Sequence, residues 1–204
     1  MRLLRDALLF AAGVLVLFAS CPSSVRAQNL DAAELLNPPP DSWPGYHGDY
    51  SGRRHSRLAQ ITPQNVGNLG LAWVFQTNQT AQIKSSPLLV DGVIYFTMPD
   101  NVWAVDARSG HMIWHYTYPP NRGVHIGHRG VGMYKGWLYF LSPDGHLISL
   151  DAKDGKVRWN VVIADVTKGY WTTMAPLVIG DHVIVGVSGD FDNLTGYLDR
   201  KSVV

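Results

Sequence analysis

Cysteine is almost missing: Cys21 is the single one in 204 residues, so no framework of internal disulfides holds this chain together. A surplus of charge is missing too, with 17 Lys+Arg against 16 Asp+Glu leaving +1. There is then no basic excess to argue for nucleic acid and no acidic tract to argue for a solvating tail. Wholesale disorder and collagen-like structure are excluded by 46% hydrophobic and 16% charged residues, a balance that can bury a core. What is abundant points one way. Trp 7, Tyr 9, Gly 20 and Pro 12 favour many short strands joined by tight turns over long helices.

Long apolar runs are confined to the N-terminus, where Arg2 and Arg5 precede Ala7–Ala19, interrupted by Gly13, and a small-residue stretch ends in Val25-Arg26-Ala27. This is the pattern of a secretory signal, expected to occupy residues 1–27 with cleavage after Ala27. The run falls short of the about 20 apolar residues of a membrane span. Two alternatives stay open, an uncleaved anchor and lipidation at Cys21, which follows Phe18-Ala19-Ser20 in a loose likeness to a lipoprotein box. Removing residues 1–27 leaves 14 basic and 15 acidic residues and no cysteine, so the exported part needs a sufficient core or belongs to something larger.

Two segments repeat. Ala104-Val-Asp106-Ala-Arg-Ser109-Gly110-His-Met-Ile-Trp114 and Ser149-Leu-Asp151-Ala-Lys-Asp154-Gly155-Lys-Val-Arg-Trp159 carry a small residue, Asp, Gly and Trp at the same spacing, 45 positions apart. Each follows two strand-like runs around a turn pair, Asp91-Gly92 in one and Lys135-Gly136 in the other, where glycine readily takes positive φ. A third copy starts at Ala175-Pro176 and turns at Gly180-Asp181, without its Trp half. A period of this length with several strands per unit predicts an all-β, partial β-propeller. The aspartates are expected to bond the turn backbone, and the tryptophans to stack on the neighbouring blade. Eight blades of about 45 residues require about 360, so the chain is expected to be part of a longer one.

From Trp43 to Trp73 the residues Trp43-Pro-Gly-Tyr46-His-Gly48-Asp49-Tyr-Ser-Gly52-Arg-Arg-His-Ser56-Arg-Leu58-Ala-Gln60-Ile61-Thr-Pro-Gln-Asn65-Val66-Gly-Asn-Leu69 lead into Ala72-Trp73. This opening resembles that of the pyrroloquinoline-quinone (PQQ) dependent alcohol dehydrogenases, eight-bladed quinoprotein propellers. The repeated Asp-x-x-x-Gly-x-x-x-Trp element is similar to that family's tryptophan-docking motif, and the resemblance runs from about Trp43 to Leu198. The chain then divides into the signal (1–27), a leader (28–70), propeller repeats (71–198) and an atypical tail (199–204) that does not continue the expected strand, as in an interrupted reading frame.

The resemblance implies a cofactor site. Arg129, before a repeat strand, matches the family arginine that approaches the quinone, and Thr173, in Thr173-Met-Ala175-Pro176, matches a threonine that donates its hydroxyl. Ser188-Gly189-Asp190 follows a Ser-Gly-Ala-Glu stretch that carries cofactor and metal contacts, but the glutamate position falls on Phe191. Asp190 and Asp192, oxygen donors beside it, are the candidate ligands for Ca²⁺ or a lanthanide. Lys84 stands where the family often has a glutamate; it is either a cation for a cofactor carboxylate or an exposed strand-end residue. The family's vicinal cysteine pair would fall at Gly123-Val124, and no cysteine is there. His125 and His128, with no third ligand at clear spacing, are not expected to form a metal pair.

By the same resemblance the function is oxidation of a primary alcohol to an aldehyde by hydride transfer to PQQ in the periplasm. A cation polarises the quinone, an aspartate acts as base, and a cytochrome c-type protein accepts electrons. Contact with a membrane is expected only if the chain is lipidated or uncleaved. None of the aspartates from Asp31 to Asp181 matches the family's catalytic one, so this stretch alone is not expected to turn over. Two alternatives remain: a quinoprotein sugar dehydrogenase, and a non-enzymatic envelope scaffold that uses the docking repeats without a cofactor.

Overall fold

The computed structural model describes residues 30–119, 128–189 and 193–202, and it is built of three antiparallel sheets that follow one another along the chain. The first holds β1 (Leu88–Val90), β2 (Val93–Met98), β3 (Asn101–Asp106) and β4 (Met112–Thr117). The second holds β5 (Gly132–Tyr134), β6 (Trp137–Leu141), β7 (His146–Asp151) and β8 (Val157–Val162). The third pairs β9 (Leu177–Ile179), β10 (His182–Val187) and β11 (Tyr197–Ser202). Each sheet keeps strand order as chain order, the up-and-down arrangement of a propeller blade.

The turns form where the sequence predicts them. Asp91 and Gly92 have φ of 49° and 76°, and Lys135 and Gly136 have 47° and 77°. Two successive left-handed residues give the two-residue loop whose twist matches that of its strands. Even the irregularities repeat, because the β3–β4 register shifts between Ala104 and Val105 and the β7–β8 register between Ser149 and Leu150, 45 positions on.

The Asp–Gly–Trp element acts as a joint. Asp106 Oδ1 accepts from the backbone N–H of Arg108 (3.0 Å) and Ser109 (2.7 Å), and Asp151 Oδ1 accepts from that of Lys153 (2.7 Å). The turn so held presents Gly155 (φ 72°) to the face of Trp114, whose Nε1 donates to the Ala152 carbonyl at 2.9 Å. The same joint occurs one blade earlier, where Trp73 lies over Gly110 and donates to the Ala107 carbonyl at 3.2 Å. Trp73 escaped the repeat reading because no Asp-x-x-x-Gly precedes it.

The strand pairing departs from the sequence expectation at the end of the third sheet. β11 pairs with β10 from Tyr197↔Val187 to Ser202↔His182, so Asp199–Ser202 continue the strand despite their polarity. Ladder bonds are made by backbone, and the charges are accommodated locally, Lys201 Nζ lying 2.5 Å from Asp199 Oδ2.

The leader straps the sheets together. Its one-turn helix α1 (Ala32–Leu36) is closed by an Asp31–Glu34 capping box, with Leu30 and Leu35 buried. Trp43 exchanges backbone bonds with Leu89 of β1 (2.7 and 2.9 Å), and the Leu30 carbonyl accepts from Lys135 N in the β5–β6 turn (2.8 Å). The Tyr50 hydroxyl donates to the Val178 carbonyl of β9. One segment therefore touches all three sheets and holds their inner strands side by side.

Candidate cofactor-binding site

The segments that enter β1, β5 and β9 are bonded laterally. Ser86 N donates to the Arg129 carbonyl at 3.0 Å, and Arg129 N donates to the Thr173 carbonyl at 3.0 Å. Glycine permits this approach: a Cβ on Gly130, whose φ is 130°, would sit 2.9 Å from the Ser86 carbonyl oxygen. Arg129 is thus pinned through its backbone on both sides while its side chain stays exposed. Its Nη1 donates to the Thr173 hydroxyl.

Both groups line a cavity of about 580 Å³ together with Trp171, Met174 and Ser188. Ser188 reaches it from the end of β10, through a backbone bridge to Trp171 with both N···O distances at 2.9 Å. Thr172 points elsewhere, giving its hydroxyl to the Ser142 carbonyl at 2.6 Å, as side-chain alternation in an extended segment requires. The same alternation was the available signal for Trp171, which the sequence reading missed. Gly189 does not line the cavity; a Cβ there would meet Leu194 at 2.6 Å, so its role in this structure is close packing. Lys84 is exposed and also lies off the cavity lining. Asp190 and Asp192 lie outside the described residues, as do His125, Gly123 and Val124. Among the described residues no group of three or more His, Cys, Asp or Glu is placed to hold a metal.

The donor set suits an anionic, flat ligand. A guanidinium with a fixed plane offers paired N–H donors to a carboxylate, two hydroxyls add neutral donors, and the Trp171 ring adds an apolar surface. PQQ, a planar quinone with three carboxylates, matches that set.

Beside Arg129, His128 is 1% exposed and rests on Phe140 with ring centroids 4.6 Å apart. Neither ring nitrogen has a hydrogen-bond partner among the described residues. Burial pushes its pKa down to about 4, against a smaller upward pull from the Asp144 carboxylate. The unfolded chain takes up this proton near pH 6.5 and the folded one does not until about pH 4. Folding stability is therefore full above pH 6.5 and expected to fall between 6.5 and 4, by up to about 3 kcal/mol. Denaturant titrations across that range would show the slope, and His128→Phe should flatten it; an equal slope in the variant would assign the loss to other groups.

Consecutive four-stranded sheets joined by a tryptophan–glycine contact, with a cationic, hydroxyl-lined opening at their inner strand ends, define blades of a β-propeller. The model of the PQQ glucose/ethanol/alcohol dehydrogenase β-propeller domain matches residues 43–196, and the chain belongs to that family. Quinohemoprotein alcohol dehydrogenase ADH-IIG of Pseudomonas putida is 36% identical over 201 residues, covering 94% of this chain and 27% of that protein. A 1-butanol dehydrogenase (cytochrome c) of Thauera butanivorans is 38% identical over 165 residues, covering 76% of this chain and 24% of its own. A lanthanide-dependent methanol dehydrogenase of Methylacidiphilum fumariolicum is 35% identical over 188 residues, 87% of this chain and 31% of its own. Among solved structures, ADHIIG superposes with a TM-score of 0.82 at 34% identity, over 87% of this chain and 27% of that one. A europium-containing methanol dehydrogenase gives 0.76 at 32%, over 84% of this chain and 31% of its own. The chain thus spans about a quarter to a third of the length of these relatives.

Proposed function

We propose that this chain forms one wall of the PQQ site of a periplasmic dehydrogenase that oxidises a primary alcohol to its aldehyde. The observation that carries the proposal is the Arg129–Thr173 bond at the cavity shared with Trp171 and Ser188. Bound there, PQQ supplies an electrophilic quinone that accepts hydride from the alcohol. Arg129 binds a cofactor anion, Thr173 fixes the plane of the guanidinium, and Ser188 adds a hydroxyl at the rim. The backbone ties of Arg129 to Ser86 and Thr173 keep that cation in place before the ligand arrives.

A hard cation, Ca²⁺ or a lanthanide, belongs to the same proposal, with Asp190 and Asp192 as its ligands; the likeness to lanthanide- and europium-containing methanol dehydrogenases supports it. A cytochrome c-type protein as electron acceptor is supported by the name of the Thauera relative. Export by residues 1–27 rests on the charged and apolar pattern of those residues.

The test is titration of the protein with PQQ in the presence of Ca²⁺ or La³⁺, followed by tryptophan fluorescence and quinone absorbance. Saturable quenching through Trp171 with a shifted quinone band is expected. Flat signals in both channels would overturn the site and favour a propeller that binds no quinone.

A further inference from the structure

Residues 47–57 hold the cations Arg53, Arg54 and Arg57, with His47 and His55 among them, against one carboxylate, Asp49, in a chain whose overall balance is only +1. Three of them line one cavity of about 120 Å³ in the leader, Arg53, His55 and Arg57, with Asp49, Ser42 and Ser56. Arg54, whose backbone is left-handed (φ 53°), has its side chain over the Tyr46 ring at 5.2 Å and on His47 Nδ1 at 2.8 Å.

The two cavity arginines are oriented by neutral partners, and the Asp49 carboxylate acts on both without forming an ion pair. Arg53 Nε donates to Ser51 Oγ at 2.9 Å, and Arg57 Nη2 donates to the Pro38 carbonyl. Each bond uses one of a guanidinium's five N–H donors and orients the rest. Ion pairs among the described residues join Lys156–Asp154, Lys168–Asp165 and Lys201–Asp199, and neither arginine is in one. Asp49 is engaged by Ser51, whose N and Oγ approach Oδ1 at 2.8 and 2.5 Å. Asp49 is thus the one carboxylate among the cavity-lining residues, against two oriented guanidiniums, and Pro38–Pro40 in the same lining have no N–H to offer.

We infer that the leader carries a binding site for a small oxyanion of phosphate, sulfate or carboxylate type, held by Arg53 and Arg57. The volume accommodates one such group. Bound anion would bridge the segments 37–43 and 53–57 and so stiffen the strap that crosses the three sheets. No part of this rests on the quinone site.

Calorimetric titrations with inorganic phosphate, sulfate and acetate, each against chloride at equal ionic strength, test it. A saturable signal is expected with an oxyanion and not with chloride, and it identifies which oxyanion is preferred. Arg53→Gln and Arg57→Gln should each weaken binding about tenfold or more, Arg57→Lys less, and Arg54→Gln by less than about twofold. Because Arg57 also ties down Pro38, Arg53→Gln decides the matter if the Arg57 variant loses its fold. Equal responses to oxyanion and chloride, or undiminished binding in Arg53→Gln, would overturn the site.

Discussion

Trp114→Ala is expected to destabilise the protein by about 3–5 kcal/mol, the range for removing a large buried aromatic without local collapse. The ring is 8% exposed and reaches from the first sheet to the second, where it covers Gly155 and bonds the Ala152 carbonyl at 2.9 Å. It also lies 6.0 Å from the Tyr95 ring, whose hydroxyl donates to that same carbonyl at 3.1 Å. Removing it opens a gap between blades that neither sheet can close alone. Trp114→Phe keeps most of the surface and loses the Nε1 donor, for about 1–2 kcal/mol. Gly155→Ala attacks the joint from the other side: its Cβ would stand 2.7 Å from Trp114 Cε3, at a φ of 72° that alanine resists. Chemical denaturation of the three variants measures the series, and a loss under about 1 kcal/mol in Trp114→Ala would show that the blades do not depend on this contact.

Arg129→Ala is expected to weaken PQQ binding by about thirtyfold or more, which corresponds to about 2 kcal/mol for one partner of a hydrogen-bonded charge pair. The fold should survive, because Arg129 is bonded to its neighbours through backbone N–H and C=O, which alanine retains. Arg129→Lys restores the charge but cannot keep both the Thr173 bond and a two-point grip on a carboxylate, so only part of the affinity should return. Thr173→Val, which frees the guanidinium plane, should lose about three- to tenfold. Titrations with PQQ alongside circular dichroism separate loss of binding from loss of fold. Unchanged affinity in Arg129→Ala would remove this residue from the site.

The blades were legible because their joints are made of unlike, irreplaceable parts. An aspartate to hold the turn, a glycine at positive φ and an indole recur at one spacing, and no other residue types do those jobs together. Where parts are interchangeable, the repeat disappears from view. Asn101 bonds His115 across β3–β4 at 2.8 Å, and 45 positions on His146 bonds Asn160 across β7–β8 at 2.8 Å, the two residue types having changed places. A position-by-position comparison sees two mismatches, at 101/146 and 115/160, while the structure shows one contact made twice. The candidate site divides in the same way. Arg129, Thr173 and Ser188 do converge on one cavity; Lys84, placed by its neighbours in sequence, lies outside its lining.

By itself the sequence determined the turn chemistry, the period and the strand order, since each depends on residues within a few positions of one another and on backbone torsions that glycine, aspartate and asparagine govern. Only the tertiary structure decided that the leader binds all three sheets, that Trp73 is a docking residue and that the polar Asp199–Ser202 complete a strand. It also decided that Arg129 meets Thr173, 44 residues away. The leader, Trp73 and β11 contacts each use a backbone carbonyl or N–H, which leaves little signature in side-chain identity, and the Arg129–Thr173 bond joins two side chains that meet only because adjacent blade entries pack side by side.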